Sequence, residues 1–116
     1  MTDTHAAPVP PSVIGRYLAA RDARDTDECL TTFTPTAEVT DDGHKYHGPM
    51  EIGAWLSKAA ASENTFTRTL VSTAKTSPGW WLVVNRLDGD VPGGSLTLRY
   101  AFELDGGRIA RLTITS

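Results

Sequence analysis

Sulfur and positive charge are both scarce in this 116-residue chain. There is one cysteine, Cys29, and 11 Lys and Arg are outnumbered by 14 Asp and Glu, for a net charge of −3. A lone thiol excludes an intrachain disulfide and any zinc cluster built on cysteines. A mildly acidic chain without a Lys/Arg cluster offers no footprint for nucleic acid or for anionic lipid, so neither is expected as a partner. Long hydrophobic runs are missing too. The longest, Trp80-Trp81-Leu82-Val83-Val84, falls far short of the roughly 20 residues that cross a bilayer. Met1 to Ala7 lack the basic stretch and apolar run of a signal peptide, and the expectation is a cytoplasmic protein with no membrane partner. No Gly-x-Ser-x-Gly element, dinucleotide fingerprint, internal repeat or low-complexity segment occurs. The glycine-rich segment from Asp88 to Gly94 has neither the ligand spacing of a calcium loop nor the lysine of a phosphate loop, and reads as a turn. His44 and His47, three apart in a predicted strand, point to opposite faces, so no metal site is expected.

What remains is ordinary for a globular protein, at 40% hydrophobic and 22% charged residues. A chain of this length makes one domain and buries about two thirds of its unfolded surface. Residues 1–11 hold Pro8, Pro10 and Pro11 with no periodicity and read as a disordered tail. Residues 12–116 are the domain.

Ser12 has the chemistry of an N-cap, and behind it Val13, Ile14, Tyr17, Leu18 and Arg21 fall at helical spacing, giving a helix to about Arg24. A short second helix is expected from Asp27 to Phe33, with acids in its first turn. Thr34-Pro35-Thr36 reads as a connector. Ala37 to Asp41 and His44 to His47 then form a hairpin around Asp42-Gly43. Gly48-Pro49 opens a third helix whose apolar stripe is Ile52, Trp55, Leu56, Ala59 and Ala60. From Thr65 the period becomes two. Strands are expected over 66–76, 80–87, 95–104 and 108–115, with Leu96, Leu98, Tyr100, Phe102 and Leu104 on one face of the third. Ala110, Leu112 and Ile114 are the expected inner face of the last. Helices grouped before sequential strands indicate an α+β fold, a curved antiparallel sheet holding three helices against one face.

Three polar side chains fall where that periodicity calls for apolar ones. Tyr17 lies on the stripe of the first helix, Asp41 shares strand parity with Val39, and Tyr100 stands between Leu98 and Phe102. A desolvated carboxylate is suited to act as a general base near neutral pH. A tyrosine hydroxyl in the same cavity can donate to a developing oxyanion. Plainer readings stand beside these: Asp41 as part of the Asp42-Gly43 turn, and the two tyrosines as core aromatics bonded to backbone carbonyls. Only convergence of the three in one cavity makes them a site. Cys29 reads as a small buried apolar residue and not as a nucleophile.

The order of elements and these residues resemble the nuclear transport factor 2-like superfamily, in particular SnoaL-like cyclases and ketosteroid isomerases. The resemblance covers about residues 12–115. It is carried by Arg16-Tyr17-Leu18, the segment Phe33 to Asp41, the segment Gly48 to Trp55, and the hairpin from Tyr100 to Ile109. It implies a cone-shaped, cystatin-like α+β fold. It also implies a cavity lined by Trp55, Leu56, Val39, Leu98, Phe102, Leu112 and Ile114, with His44 at its rim. Position by position, Asp41 matches the isomerases' general base and Tyr17 their oxyanion tyrosine, while Tyr100 occupies the place of their second, acidic donor. Leu56 stands where they carry a supporting tyrosine, which argues against a true steroid isomerase. An epoxide hydrolase of this fold needs an Asp-Arg-Asp set, and Arg99 has outward parity with no second inner aspartate. The resemblance thus implies a cofactor-independent isomerase or cyclase acting by proton transfer on a small apolar carbonyl compound. The alternative is a non-catalytic ligand-binding or dimeric interaction domain. An outer sheet face carrying Trp81 or Trp80, Val83, Val71 and Ala101 is more apolar than a solvent face needs, and a homodimer through it is expected.

Overall fold

Two-residue turns set the register of the sheet. Asp42 and Gly43 both take positive φ, 51° and 79°, as do Gly106 and Gly107, 59° and 79°. That is the backbone of hairpin turns whose twist matches the strands they join. The computed structural model describes residues 10–62 and 65–116, so most of the predicted 1–11 tail lies outside the described residues. In chain order the elements are α1 (Ser12–Asp22), α2 (Thr26–Thr31), β1 (Phe33–Asp41), β2 (His44–His47) and α3 (Gly48–Ala60). They continue with β3 (Phe66–Ser77), β4 (Trp80–Gly89), a 3-10 turn (Pro92–Gly94), β5 (Ser95–Asp105) and β6 (Arg108–Thr115).

The six strands form one sheet in the order β2-β1-β6-β5-β4-β3. Every neighbouring pair is antiparallel except β1 and β6, which run parallel. The fold is α+β, three helices against a curved sheet that does not close. One core unites Val13, Ile14, Tyr17 and Leu18 of α1 with Ile52, Trp55 and Leu56 of α3. Beneath them lie Val39, Trp81, Val83, Tyr100, Phe102, Leu112 and Ile114 of the sheet.

Several local expectations give way to the structure, each for a physical reason. Pro11, not Ser12, occupies the N-cap position of α1 and supplies no side-chain cap. Its extended backbone (φ −54°, ψ 145°) leaves Ser12 already inside the first turn. Asp25 does cap α2, its carboxylate accepting from the Glu28 N–H over 3.1 Å. Thr34-Pro35-Thr36 belongs to β1. The ladder with β6 is irregular between Phe33 and Glu38, and a proline is tolerated in a strand where no ladder bond is asked of it. In β6, Ala110 is not on the inner face. Glu103 pairs with Arg111 while Leu104 pairs with Ile109, so Ala110 is the extra residue of a bulge and Ile109 is buried in its place.

The outer sheet face also differs. Trp81 pairs with Phe102 and Val83 with Tyr100, and residues directly opposite in a ladder share a face. Both are therefore core residues, and the outer face carries Trp80, Leu82, Val84 and Ala101, each half-buried. Val71 is exposed at a bulge of the edge strand β3.

Gly89 is the tightest backbone position. At φ 134° a Cβ there would lie 2.7 Å from the Thr65 carbonyl oxygen and 3.0 Å from Phe66 Cα, whereas nothing lies within 4 Å of one added at Gly43. Gly43→Ala is expected to cost about 1 kcal/mol from backbone conformation alone, and Gly89→Ala about 3 kcal/mol. Urea unfolding of both variants checks the ranking; equal midpoints would contradict it.

Candidate functional site

Side chains four apart on a helix meet, and on α1 that spacing brings Arg21 onto Tyr17. Tyr17 has no exposed surface. Its ring meets Phe33 and Phe102 edge-on, with centroids 5.6 and 5.7 Å away. Arg21 Nη1 donates to the Tyr17 hydroxyl oxygen over 2.6 Å. The same guanidinium lies over the Trp55 ring of α3, 4.7 Å from its centroid. The Trp55 indole Nε1 in turn donates to Asp41 Oδ2 over 3.0 Å, and Tyr46 stacks on Trp55 at 5.8 Å. Tyr17, Arg21, Trp55 and Asp41 thus form one chain of contacts running from the first helix to the end of β1.

Two clefts meet this chain. The first, about 450 Å³, is lined by Arg21, Tyr100, Leu18, Cys29, Leu56 and Arg68 among others. The second, about 520 Å³, is lined by Asp41, Leu96, Leu98 and Ile114, the Asp42-Gly43 turn and the chain's last two residues. Arg21 belongs to one and Asp41 to the other, and Trp55 touches both residues.

Asp41 is the last residue of β1, outside the turn proper, and is registered with Ile114 of β6. Ile114 is registered with Tyr100 of β5. Asp41, Ile114 and Tyr100 therefore stand in one row across the concave face, the outer two about 10 Å apart at two strand spacings. Among the described residues Asp41 Oδ1 accepts no hydrogen bond, and the Tyr100 hydroxyl makes none. Leu98 and Ile114 line the second cleft with Asp41, and Leu56 lines the first with Tyr100. Val39, Phe102 and Leu112 are fully buried floor, while Tyr17, Trp55 and His44 line neither of these clefts. His44 is exposed, opposite Asp41 in the hairpin.

Arg21 is the residue of this cluster to which sequence reasoning assigned no role. Its signal was a cation in the fifth place of an otherwise apolar stripe. Burial works against its charged form, and the neighbouring Tyr17 and Tyr100 more than offset this, holding Arg21 above its ordinary range. Burial raises Tyr17, with Arg21 pulling the other way, and Tyr100 is raised for the same first reason. Arg68 is different: two of its nitrogens meet the Asp22 carboxylate at 2.9 and 2.6 Å. Its third donates to Asn85 Oδ1 over 2.9 Å, while the Asn85 Nδ2 group is buried without a partner.

No protein-family profile matches the chain, and no curated protein does. Solved structures do match. A candidate polyketide cyclase from Sinorhizobium meliloti superposes with a TM-score of 0.81 at 32% identity, over 91% of this chain and 95% of that one. A ketosteroid isomerase-like protein from Catenulispora acidiphila, solved with trimethylamine, reaches 0.80 at 14% identity, over 93% and 87% of the two chains. An NTF2-like protein of unknown function from Cytophaga hutchinsonii gives 0.73 at 8% identity, over 97% and 93%. These neighbours share the nuclear transport factor 2-like α+β fold, and the chain takes it. Within it, the chain belongs to the SnoaL-like, polyketide cyclase-related family. Among the described residues no helix is long and apolar enough to cross a membrane.

Cys29 is buried, and burial pushes its thiol up to about 11. A thiol raised in the fold binds its proton more tightly there than in the unfolded chain, so stability is lost as pH rises from about 9 towards 11. Iodoacetamide at pH 8 is expected to alkylate Cys29 at least tenfold more slowly in the native chain than in urea-unfolded chain. Equal rates would contradict this burial.

Proposed function

We propose that the chain is a small-molecule enzyme that moves a proton on an apolar carbonyl compound, as an isomerase or cyclase, with Asp41 as the base. The fold alone does not choose among the chemistries it hosts; one observation at Asp41 carries the reading. Trp55 holds one carboxylate oxygen, and among the described residues the other is without a hydrogen bond, in a cleft floored by Leu98 and Ile114. A base fixed at one atom and open at the other, against apolar surface, suits abstraction of a proton from carbon.

A substrate in this cleft, lying over Leu98 and Ile114, has Asp41 at its edge, while Tyr100 lines the other cleft. Oδ1 takes the proton beside the carbonyl, and the electron pair of that C–H bond moves onto the carbonyl oxygen as an enolate. Return of the proton at another carbon completes an isomerisation; attack of the carbanion on a second carbonyl completes a ring closure. Tyr17 acts one step back, by holding Arg21. The reaction draws on no cofactor.

One observation favours the other reading, a non-catalytic binding domain: the Tyr17 hydroxyl, the expected oxyanion donor, faces neither cleft and is engaged by Arg21. Deuterium exchange of the protons beside the carbonyl in a panel of cyclic ketones, followed by NMR, separates the two. Catalysed exchange is expected, with Asp41→Asn slowing it roughly 10²–10⁴-fold while the variant stays folded. No exchange with any ketone, or equal exchange by the variant, would leave the binding domain as the reading.

A second copy of the chain is the proposed partner of the outer face, where Trp80, Leu82, Val84 and Ala101 form a half-buried apolar strip. Sedimentation at micromolar concentration is expected to give a dimer that Trp80→Lys dissociates; a monomeric wild type would overturn the proposal.

A further inference from the structure

We infer that the cleft beside Arg21 binds a small apolar monocarboxylate, its carboxylate lying on the Arg21 guanidinium and the Tyr100 hydroxyl. Arg21 is partly buried, yet among the described residues no carboxylate lies within ion-pair distance of it. Of the five N–H donors a guanidinium offers, hydrogen bonding among the described residues engages Nη1 alone, with Tyr17. A partly buried cation without a counter-ion is costly, and stacking on Trp55 returns only part of the loss. An anion supplied from outside returns the rest.

The neighbouring groups point to the same ligand. The Tyr100 hydroxyl lines the cleft and makes no hydrogen bond among the described residues, and a phenol can donate to a carboxylate oxygen. Leu18 and Leu56 offer apolar wall for the remainder of the molecule. Overall charge then sets the valence. Three arginines (Arg21, Arg24, Arg68) and three aspartates (Asp22, Asp25, Asp90) line the cleft, so its formal charge is zero. Asp22, Asp25 and Asp90 are all exposed and Asp22 already neutralises Arg68. A single negative charge finds Arg21 uncompensated, whereas a dianion such as phosphate meets the carboxylates as well. A planar carboxylate also matches the fork of a guanidinium.

The inference does not depend on Asp41, because binding is measured without turnover; failure of the exchange assay leaves it standing, and the reverse holds too. Calorimetric titration of the full chain with cyclohexanecarboxylate, benzoate, the two matching carboxamides and inorganic phosphate tests it. At least one carboxylate is expected to bind at least tenfold more tightly than its amide, with phosphate weaker still. Arg21→Gln is expected to abolish that preference and Tyr100→Phe to weaken the carboxylate several-fold. Circular dichroism checks that both variants are folded; should Arg21→Gln unfold, the acid-over-amide preference and Tyr100→Phe decide. Acid and amide binding alike, tighter binding of phosphate, affinity unchanged in the folded variants, or no binding of either carboxylate at millimolar concentration would each overturn the inference.

Discussion

Everything at this site depends on where the Arg21 guanidinium is put. A partly buried cation is expensive to leave without an opposite charge, and here a tyrosine oxygen and an indole face take the counter-ion's place. A cation–π contact contributes about 0.5–2 kcal/mol and a hydrogen bond to a charged group about 1.5–3 kcal/mol. Together they hold the guanidinium without cancelling its charge. The positive charge therefore remains available to the first cleft. The Trp55 ring beneath it is held on its face by Arg21 and at its N–H by Asp41. One aromatic side chain thereby positions both the cation and the carboxylate.

The sheet supplies the rest of the placement. Because β1 runs parallel to β6 while β6 runs antiparallel to β5, the ends of β1 and β6 and the middle of β5 come level. Asp41, Ile114 and Tyr100 stand in one row as a result. Each lies on the concave face by strand parity alone, and the helices that carry Arg21 and Trp55 cover that face. The site is thus assembled from residues of α1, α3, β1, β5 and β6, with no loop asked to hold a charged group in place.

Much of this was legible in the sequence, because periodicity reports facing. Tyr17, Asp41 and Tyr100 each interrupt an apolar pattern, and each is on the inner side. The Asp42-Gly43 turn fixed the β1–β2 register at once. What could not be read follows from bulges and from long-range pairing. A bulge at Ala110 exchanges it for Ile109, because one extra residue reverses parity. The adjacent tryptophans could not be sorted inward and outward until Trp81 was seen opposite Phe102. Arg21 was visible on the stripe, but its role required knowing that Trp55, 34 positions later, would lie under it. The division into two clefts has the same origin, since it depends on side chains from elements distant in the chain.

The central claim is that Trp55 connects the cleft beside Arg21 to the carboxylate of Asp41. Its most direct test follows the three indole N–H resonances by two-dimensional NMR as cyclohexanecarboxylate is added, with Trp55→Phe assigning one of them. The account predicts that the Trp55 resonance moves, that those of Trp80 and Trp81 stay nearly still, and that Arg21→Gln abolishes the movement. A Trp55 resonance that does not respond to saturating ligand, or three resonances that shift alike, would contradict it.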